Sequence, residues 1–188
     1  MSLLWPERLT VVLEPEGGLE ALRRKVAAAQ GRVDVTVVLS NHFVRYAVLP
    51  QQHGISPEEE LALARFQFAK IHGERAKAWE VRVCEGLACA IDAALLEGLR
   101  SCFPKTGKAR LASVQPHLMA AYNRARRRIP REGAWLVLAE RGRTCLARLA
   151  ASGWAWVHNG READADELIE RERSRSSGER LPARVLKL

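Results

Sequence analysis

Apolar positions in this chain switch repeatedly between a period of two and a period near 3.6, which predicts short strands interleaved with helices. Leu9 to Leu13 reads as a first strand, Pro15-Glu16-Gly17-Gly18 as a turn, and Leu19 to Gln30 as a helix stopped by Gly31. Val33 to Leu39 and Phe43 to Leu49 read as two strands joined like a hairpin at Ser40-Asn41-His42, with Pro50 to Gly54 as loop. Ser56-Pro57-Glu58-Glu59-Glu60 is a helix start: Ser56 caps, Pro57 suits the first helical position, and the acids face the positive end of the dipole. The helix that follows, to Ile71, has two apolar stripes. Leu61, Ala64, Phe68 and Ile71 form one, and Ala62, Phe66 and Ala69 the other, which predicts packing partners on two sides.

Further on, Trp79 to Cys84 and Leu87 to Ile91 flank the hairpin turn Glu85-Gly86, and Asp92 caps a helix running to about Phe103. Pro104 to Lys108 reads as a basic turn, Arg110 to Val114 as a strand, and Pro116 as the start of a helix to about Ile129. Trp135 to Ala139, Thr144 to Ala150 and Trp154 to His158 then predict an antiparallel meander. Its connections are Glu140-Arg141-Gly142-Arg143 and Ala151-Ser152-Gly153. Trp154 and Trp156, two apart, are expected on one side of their strand. A polar helix around Asp166 to Arg173, a flexible Ser174 to Gly178, and a last strand or tail from Leu181 to Leu188 complete the chain.

Composition narrows the class. With 188 residues, 47% of them hydrophobic and 28% charged, the chain can bury a substantial core. No stretch approaches the ~20 apolar residues that span a bilayer, and Met1 to Arg8 lacks the apolar core of a targeting segment, so a cytosolic protein is expected. Cys84, Cys89, Cys102 and Cys145 show no metal-type or C-x-x-C spacing and read as reduced, mostly buried small side chains. The net charge of +8 favours an anionic partner. It is densest at Arg124, Arg126, Arg127, Arg128 and Arg131, where cations also complement the end of a helix. A membrane surface or an acidic protein fits this cluster better than nucleic acid, because no aromatic residues interleave it for stacking.

Candidate chemistry is sparse. Glu14, Asp34, Glu85, Asp92 and Glu140 fall at strand ends without the spacing of a two-metal nuclease. His42, His53, His72, His117 and His158 are dispersed, and no nucleophile elbow, phosphate loop or dinucleotide fingerprint is present. Pro104-Lys105-Thr106-Gly107-Lys108 resembles a phosphate loop loosely but follows a helix instead of preceding one. No catalytic residue, metal site or cofactor is expected.

From Val33 to Arg161 the order of elements resembles the actin-like pilus and secretion assembly proteins: the PilM family and the cytoplasmic part of GspL. Four features carry the likeness. Val37-Val38-Leu39-Ser40 with Phe43 to Pro50 is similar to their strand pair ending in Leu-Pro, and Ser56 to Glu60 with its helix to their inserted helix. Ala90-Ile91-Asp92 and Ala112 to Pro116 with the helices behind them look like their entry into the second half, and the meander looks like the start of that half. The resemblance implies an α/β, ribonuclease-H-like (actin-like ATPase-type) mixed sheet with flanking helices, truncated relative to the full two-domain fold. It divides the chain into 1–92, 93–162 and 163–188: a first half with an inserted hairpin and helix, a second half with the meander, and a polar helix and tail.

Nucleotide-binding members carry an Asp-x-Gly turn at the start of each half. Here the second turn is Glu140, Arg141 and Gly142, with Arg141 standing where phosphate and metal would sit, and the first is Glu14-Pro15-Glu16-Gly17-Gly18. The expectation is therefore a non-catalytic bacterial scaffold or adaptor of a type IV pilus or type II secretion-like assembly, cytoplasmic or peripheral at the inner membrane. It would bind a cytoplasmic segment of a membrane protein. Partner-binding candidates are Arg65, Phe66 and Phe68 on the inserted helix, and Arg124, Arg126, Arg127 and Arg128 toward an anionic surface. The alternatives are an ATP-binding protein that uses Glu140, and a nucleic-acid binder acting through Arg124 to Arg128.

Overall fold

The computed structural model describes residues 7–50, 54–161, 164–176 and 181–188. Its elements begin with β1 (Glu7–Leu13), α1 (Gly18–Ala27), β2 (Val33–Leu39), β3 (Val44–Val48) and α2 (Pro57–His72). There follow β4 (Trp79–Cys84), β5 (Leu87–Asp92), α3 (Ala93–Ser101), β6 (Ala109–Pro116) and α4 (His117–Ala125). The rest is β7 (Gly133–Glu140), β8 (Arg143–Ala150), β9 (Gly153–Arg161), α5 (Ala165–Arg175) and β10 (Val185–Lys187). Short 3-10 turns occupy Gly73–Ala78 and Arg126–Arg128.

These elements form a mixed α/β structure. β1, β2 and β6 make an all-parallel sheet in the order β1-β2-β6. β10-β7-β8-β9 make a second sheet, in which the antiparallel meander gains β10 as a parallel neighbour of β7. The small antiparallel sheet β3-β5-β4 is inserted in the chain between β2 and β6. The Ser40-Asn41-His42 junction is thus not a hairpin. β2 finds parallel partners on both sides, and β3 leaves to pair with β5. Five of the seven residues of Val33–Leu39 are buried, Val37, Val38 and Leu39 in succession, as suits a central parallel strand.

One apolar core joins the two larger sheets. It takes Val35, Val37 and Leu39 from β2, Leu96 and Leu99 from α3, Leu118 and Ala121 from α4, and Leu136, Leu138, Ala147 and Leu149 from β7 and β8. α5 covers the other face of the second sheet, setting Leu168 and Ile169 on Trp135, Val137 and Leu146. Buried beside them, Arg148 of β8 faces Glu172 of α5 at 3.8 Å. Gly133 has to be glycine: its φ is 100°, and a Cβ there would lie 2.0 Å from the Leu149 carbonyl oxygen.

A register shift between Arg148 and Leu149 alters the expected arrangement of tryptophans. Leu149 pairs with Trp154 but Arg148 with Trp156, so Ala155 bulges out. Trp154 then enters the central core against Tyr122, and Trp156 packs on the opposite face against Trp135. Two residues apart in sequence, they face opposite ways.

The inserted sheet carries α2. Its start has the full capping box, with Ser56 Oγ accepting from Glu59 N at 3.2 Å and Glu59 accepting from Ser56 N at 2.7 Å. Only one face of α2 packs. Ala64 and Phe68 are buried with Val81, Ala88 and Ala90, and Phe68 meets Trp79 edge-on at 6.0 Å. The second stripe has no cover among the described residues: Ala62, Phe66 and Ala69 are exposed, and so is Ile71. Smaller departures occur at helix ends. α1 stops at Ala27, α4 at Ala125 with a 3-10 turn behind it, and Ser174 and Arg175 belong to α5. Ser177 and Gly178, like Gln51 to His53, lie outside the described residues.

Candidate functional site

The two turns that open the halves of the chain face one cleft of about 540 Å³. The turn after β1 contributes Glu14, Pro15 and Glu16, and the turn after β7 contributes Glu140 and Arg141. Ser40 and His42, just past β2, and His117, at the start of α4, line it between them. All of these lie at the C-terminal ends of parallel strands or at the helix start that follows, the place where open α/β sheets bind ligands.

Glu140 is the centre of this cleft, and its carboxylate is fully engaged. Oε1 accepts from the Asn41 backbone N at 3.1 Å, from Asn41 Nδ2 at 2.9 Å and from His117 Nδ1. Oε2 accepts from Ser40 Oγ and from Asn41 N at 3.2 Å. With Nδ1 donating to a carboxylate, the His117 tautomer is set by its partner. Asn41 is held in turn: Tyr46 donates to its Oδ1 at 2.7 Å, and Asn159 Nδ2 donates to the carbonyls of Asn41 and Val44, each at 2.9 Å. Carboxylate, loop and β9 therefore form one continuous network.

Burial alone would raise the Glu140 pKa. The bonds from His117, Ser40 and Asn41 together outweigh it and hold the carboxyl at about 2, below its ordinary value of 4.5. A side chain fixed this way is a bracket between the end of β7, which supplies Glu140, and the loop after β2, which supplies Ser40 and Asn41. Its lone pairs are taken by protein donors.

Arg141 stands at the edge of the same cleft. Its side chain is 89% exposed and stands 3.7 Å from Glu16, while its carbonyl accepts from His42 Nε2 at 3.0 Å. The guanidinium lies beside Glu16, while Glu140, bonded to Ser40 and Asn41, lines the cleft next to it. Sequence reasoning singled out the Glu140-Arg141-Gly142 turn but missed Ser40 and His117 as its partners. They are 100 and 23 residues away from Glu140, with no motif linking them.

The partner-binding candidates divide in two. Arg65 and Phe66 are exposed on the outer face of α2, Phe66 at 66%. Phe68 is 1% exposed and belongs to the core beneath the same helix, so it offers no surface: it sits one face away from Phe66, over Trp79. Arg124, Arg126, Arg127 and Arg128 are all exposed at the end of α4. Arg126 is shared, lying 3.7 Å from Glu85 and 6.0 Å from the Tyr122 ring centroid. The Pro104 to Lys108 turn lines a separate open concavity of about 670 Å³ with Arg32, Arg100 and Arg110. There Arg110 is held bidentately by Asp34 at 2.9 Å, and Lys108 donates to the Gln30 carbonyl at 3.1 Å.

The cysteines are free. Cys89 and Cys145 are buried thiols, with burial pushing Cys89 up to about 12 and Cys145 in the same direction, so neither is a nucleophile at neutral pH. Among the described residues no group of three or more His, Cys, Asp or Glu side chains could hold a metal ion. No described helix is long and apolar enough to cross a membrane.

No family model and no curated protein matches the chain. Solved structures do. A Bacteroides thetaiotaomicron protein with an actin-like ATPase fold and unknown function aligns with a TM-score of 0.54 at 10% identity, over 89% of this chain and 74% of its own. The cytoplasmic domain of EpsL, an inner-membrane component of the type II secretion system of Vibrio cholerae, aligns at 0.52 and 17%, over 91% and 68%. The PilM-PilN type IV pilus biogenesis complex aligns at 0.51 and 14%, over 86% of this chain and only 52% of the matched one. The shared architecture is the actin-like fold, and this chain spans 74%, 68% and 52% of the three matched chains.

Proposed function

We propose that the chain is a non-catalytic cytosolic adaptor or scaffold of a type IV pilus or type II secretion-like inner-membrane assembly, binding a cytoplasmic segment of a membrane protein. The observation that carries this reading is the Glu140 bracket. The acid best placed to hold a nucleotide's metal is instead bonded to Ser40, Asn41 and His117. A fold that spends this residue on joining its halves keeps its surfaces for binding but gives up the phosphate site. Two of the similar structures, an inner-membrane secretion component and a pilus biogenesis complex, support the setting.

The surface offered to the partner is the outer face of α2, where Arg65 and Phe66 stand exposed with Ala62 and Ala69. Exposed aromatic and aliphatic side chains next to an arginine are the usual anchors of a protein interface. Arg124, Arg127 and Arg128 would orient the molecule toward an anionic bilayer. The test is purification of the tagged chain from detergent-solubilised inner membranes, followed by titration of the recovered protein's synthetic cytoplasmic segment. Phe66→Asp is expected to weaken that binding about tenfold or more without lowering the melting temperature. Binding unchanged by Phe66→Asp and Arg65→Glu would remove α2 from the interface. Recovery of no inner-membrane protein would contradict the adaptor reading.

A further inference from the structure

β1 ends the first sheet, and its outer side has no strand beside it among the described residues. In the ladder with β2, Glu7 N donates to the Arg32 carbonyl at 3.1 Å, and the Leu13 carbonyl accepts from Ser40 N at 3.1 Å. The odd-numbered residues thus spend their backbone groups on β2. Arg8, Thr10 and Val12 direct theirs outward. Glu7 to Thr10 and Val12 are exposed. Among the described residues Leu9 at 40% and Val12 at 44% are two of the four exposed large hydrophobic residues, and they lie on opposite faces of the strand. An edge strand with unpaired backbone groups and apolar side chains beside them is a template for pairing with another chain.

Three other edges are protected. β4 carries the Glu80–Arg82 ion pair at 2.7 Å, β9 ends in Asn159 and Arg161, and β10 is three residues long. Leu9 to Leu13, by contrast, has no charge, proline or bulge.

We propose that this edge is a homodimer interface, in which two copies pair their β1 strands antiparallel about a two-fold axis through Val11. That register sets Arg8 of each copy opposite Glu14 of the other, Leu9 opposite Leu13, and Thr10 opposite Val12. The outward-facing residues Arg8, Thr10, Val12 and Glu14 become the hydrogen-bonded pairs. The charge pattern selects a second copy as the occupant. A strand with a cation at one end and an acid at the other is complementary to itself when antiparallel, and the two-fold makes the favourable pair twice. An axis through Thr10 would set Arg8 against Val12 and leave Glu14 unmatched.

Sedimentation velocity of the full chain over about 1–100 µM tests the proposal, a range that brackets a micromolar dimer. Wild type is expected to dimerise across it. Arg8→Glu and Glu14→Arg should each weaken dimerisation about tenfold or more, and the double variant R8E/E14R should restore it. Thr10→Pro removes an outward N–H without touching the β2 ladder and should abolish the dimer with the circular dichroism spectrum unchanged. A monomeric wild type, a dimer that survives Thr10→Pro, or a charge swap that fails to restore association would each overturn it.

Discussion

β1 and β7 hold the same post in the two larger sheets, and the molecule treats them differently. Each ends in a turn facing the cleft, and each pairs in parallel with a strand that follows a helix: β2 after α1, and β10 after α5. β7 is flanked on both sides and is buried from Gly133 to Leu138, whereas β1, among the described residues, is flanked on one side and exposed from Glu7 to Thr10. The acids that follow them differ as well. Glu140 is bonded to Ser40, Asn41 and His117, while Glu14 lies exposed at the cleft rim. A central strand supplies a rigid platform from which one carboxylate can be aimed. An edge strand leaves its surface free for association.

Truncation at the two strands should expose that asymmetry most strongly. Trp135→Ala in β7 removes a fully buried indole together with its hydrogen bond to the Pro182 carbonyl, and is expected to cost about 3–5 kcal/mol in urea unfolding. Leu9→Ala in β1 should cost less than about 1 kcal/mol. Equal losses would mean that β1 is as well supported as β7.

The Glu140 bracket gives the next effect, and it has a pH signature. Because the folded carboxyl titrates near 2 against an ordinary value of 4.5, its contribution is complete above pH 4.5 and is lost as the pH falls toward 2. Unscreened, the shift would correspond to about 3 kcal/mol; solvent on the open side of the cleft brings it to on the order of 1–2 kcal/mol. Glu140→Gln should flatten the acid limb of the stability curve by that amount, measured by denaturant unfolding between pH 6 and pH 2.5. An acid limb identical to wild type would show that the bracket carries no net energy.

Ser56→Ala, which breaks the capping box of α2, should cost about 1 kcal/mol. Phe66→Ala on the exposed face of that helix should leave stability within about 0.5 kcal/mol, since Phe66 is 66% exposed.

Much of the architecture was legible in local signals. The meander, the Glu85-Gly86 hairpin, the Ser56 cap and the Asp92 cap all rest on residues within a few positions of one another, and all are present. Non-local outcomes were not legible. Val33–Leu39 and Phe43–Leu49 look like hairpin arms until β6 arrives from more than 60 residues away to take the second side of β2. The opposite facing of Trp154 and Trp156 depends on a bulge, which leaves the alternating pattern of the sequence intact while reversing its meaning. At the site, the turn was visible and its mechanism was not. The Arg141 side chain stands where sequence spacing draws attention, but Ser40 and His117 engage Glu140 only once both sheets are folded.

The account turns on whether Glu140 is a bracket or a ligand. Isothermal titration of the wild-type chain with ATP and magnesium measures this most directly. The expected result is no saturable binding up to about 1 mM nucleotide, with Glu140→Ala lowering stability but changing nothing in the titration. Micromolar binding of Mg·ATP that Glu140→Ala abolishes would contradict it.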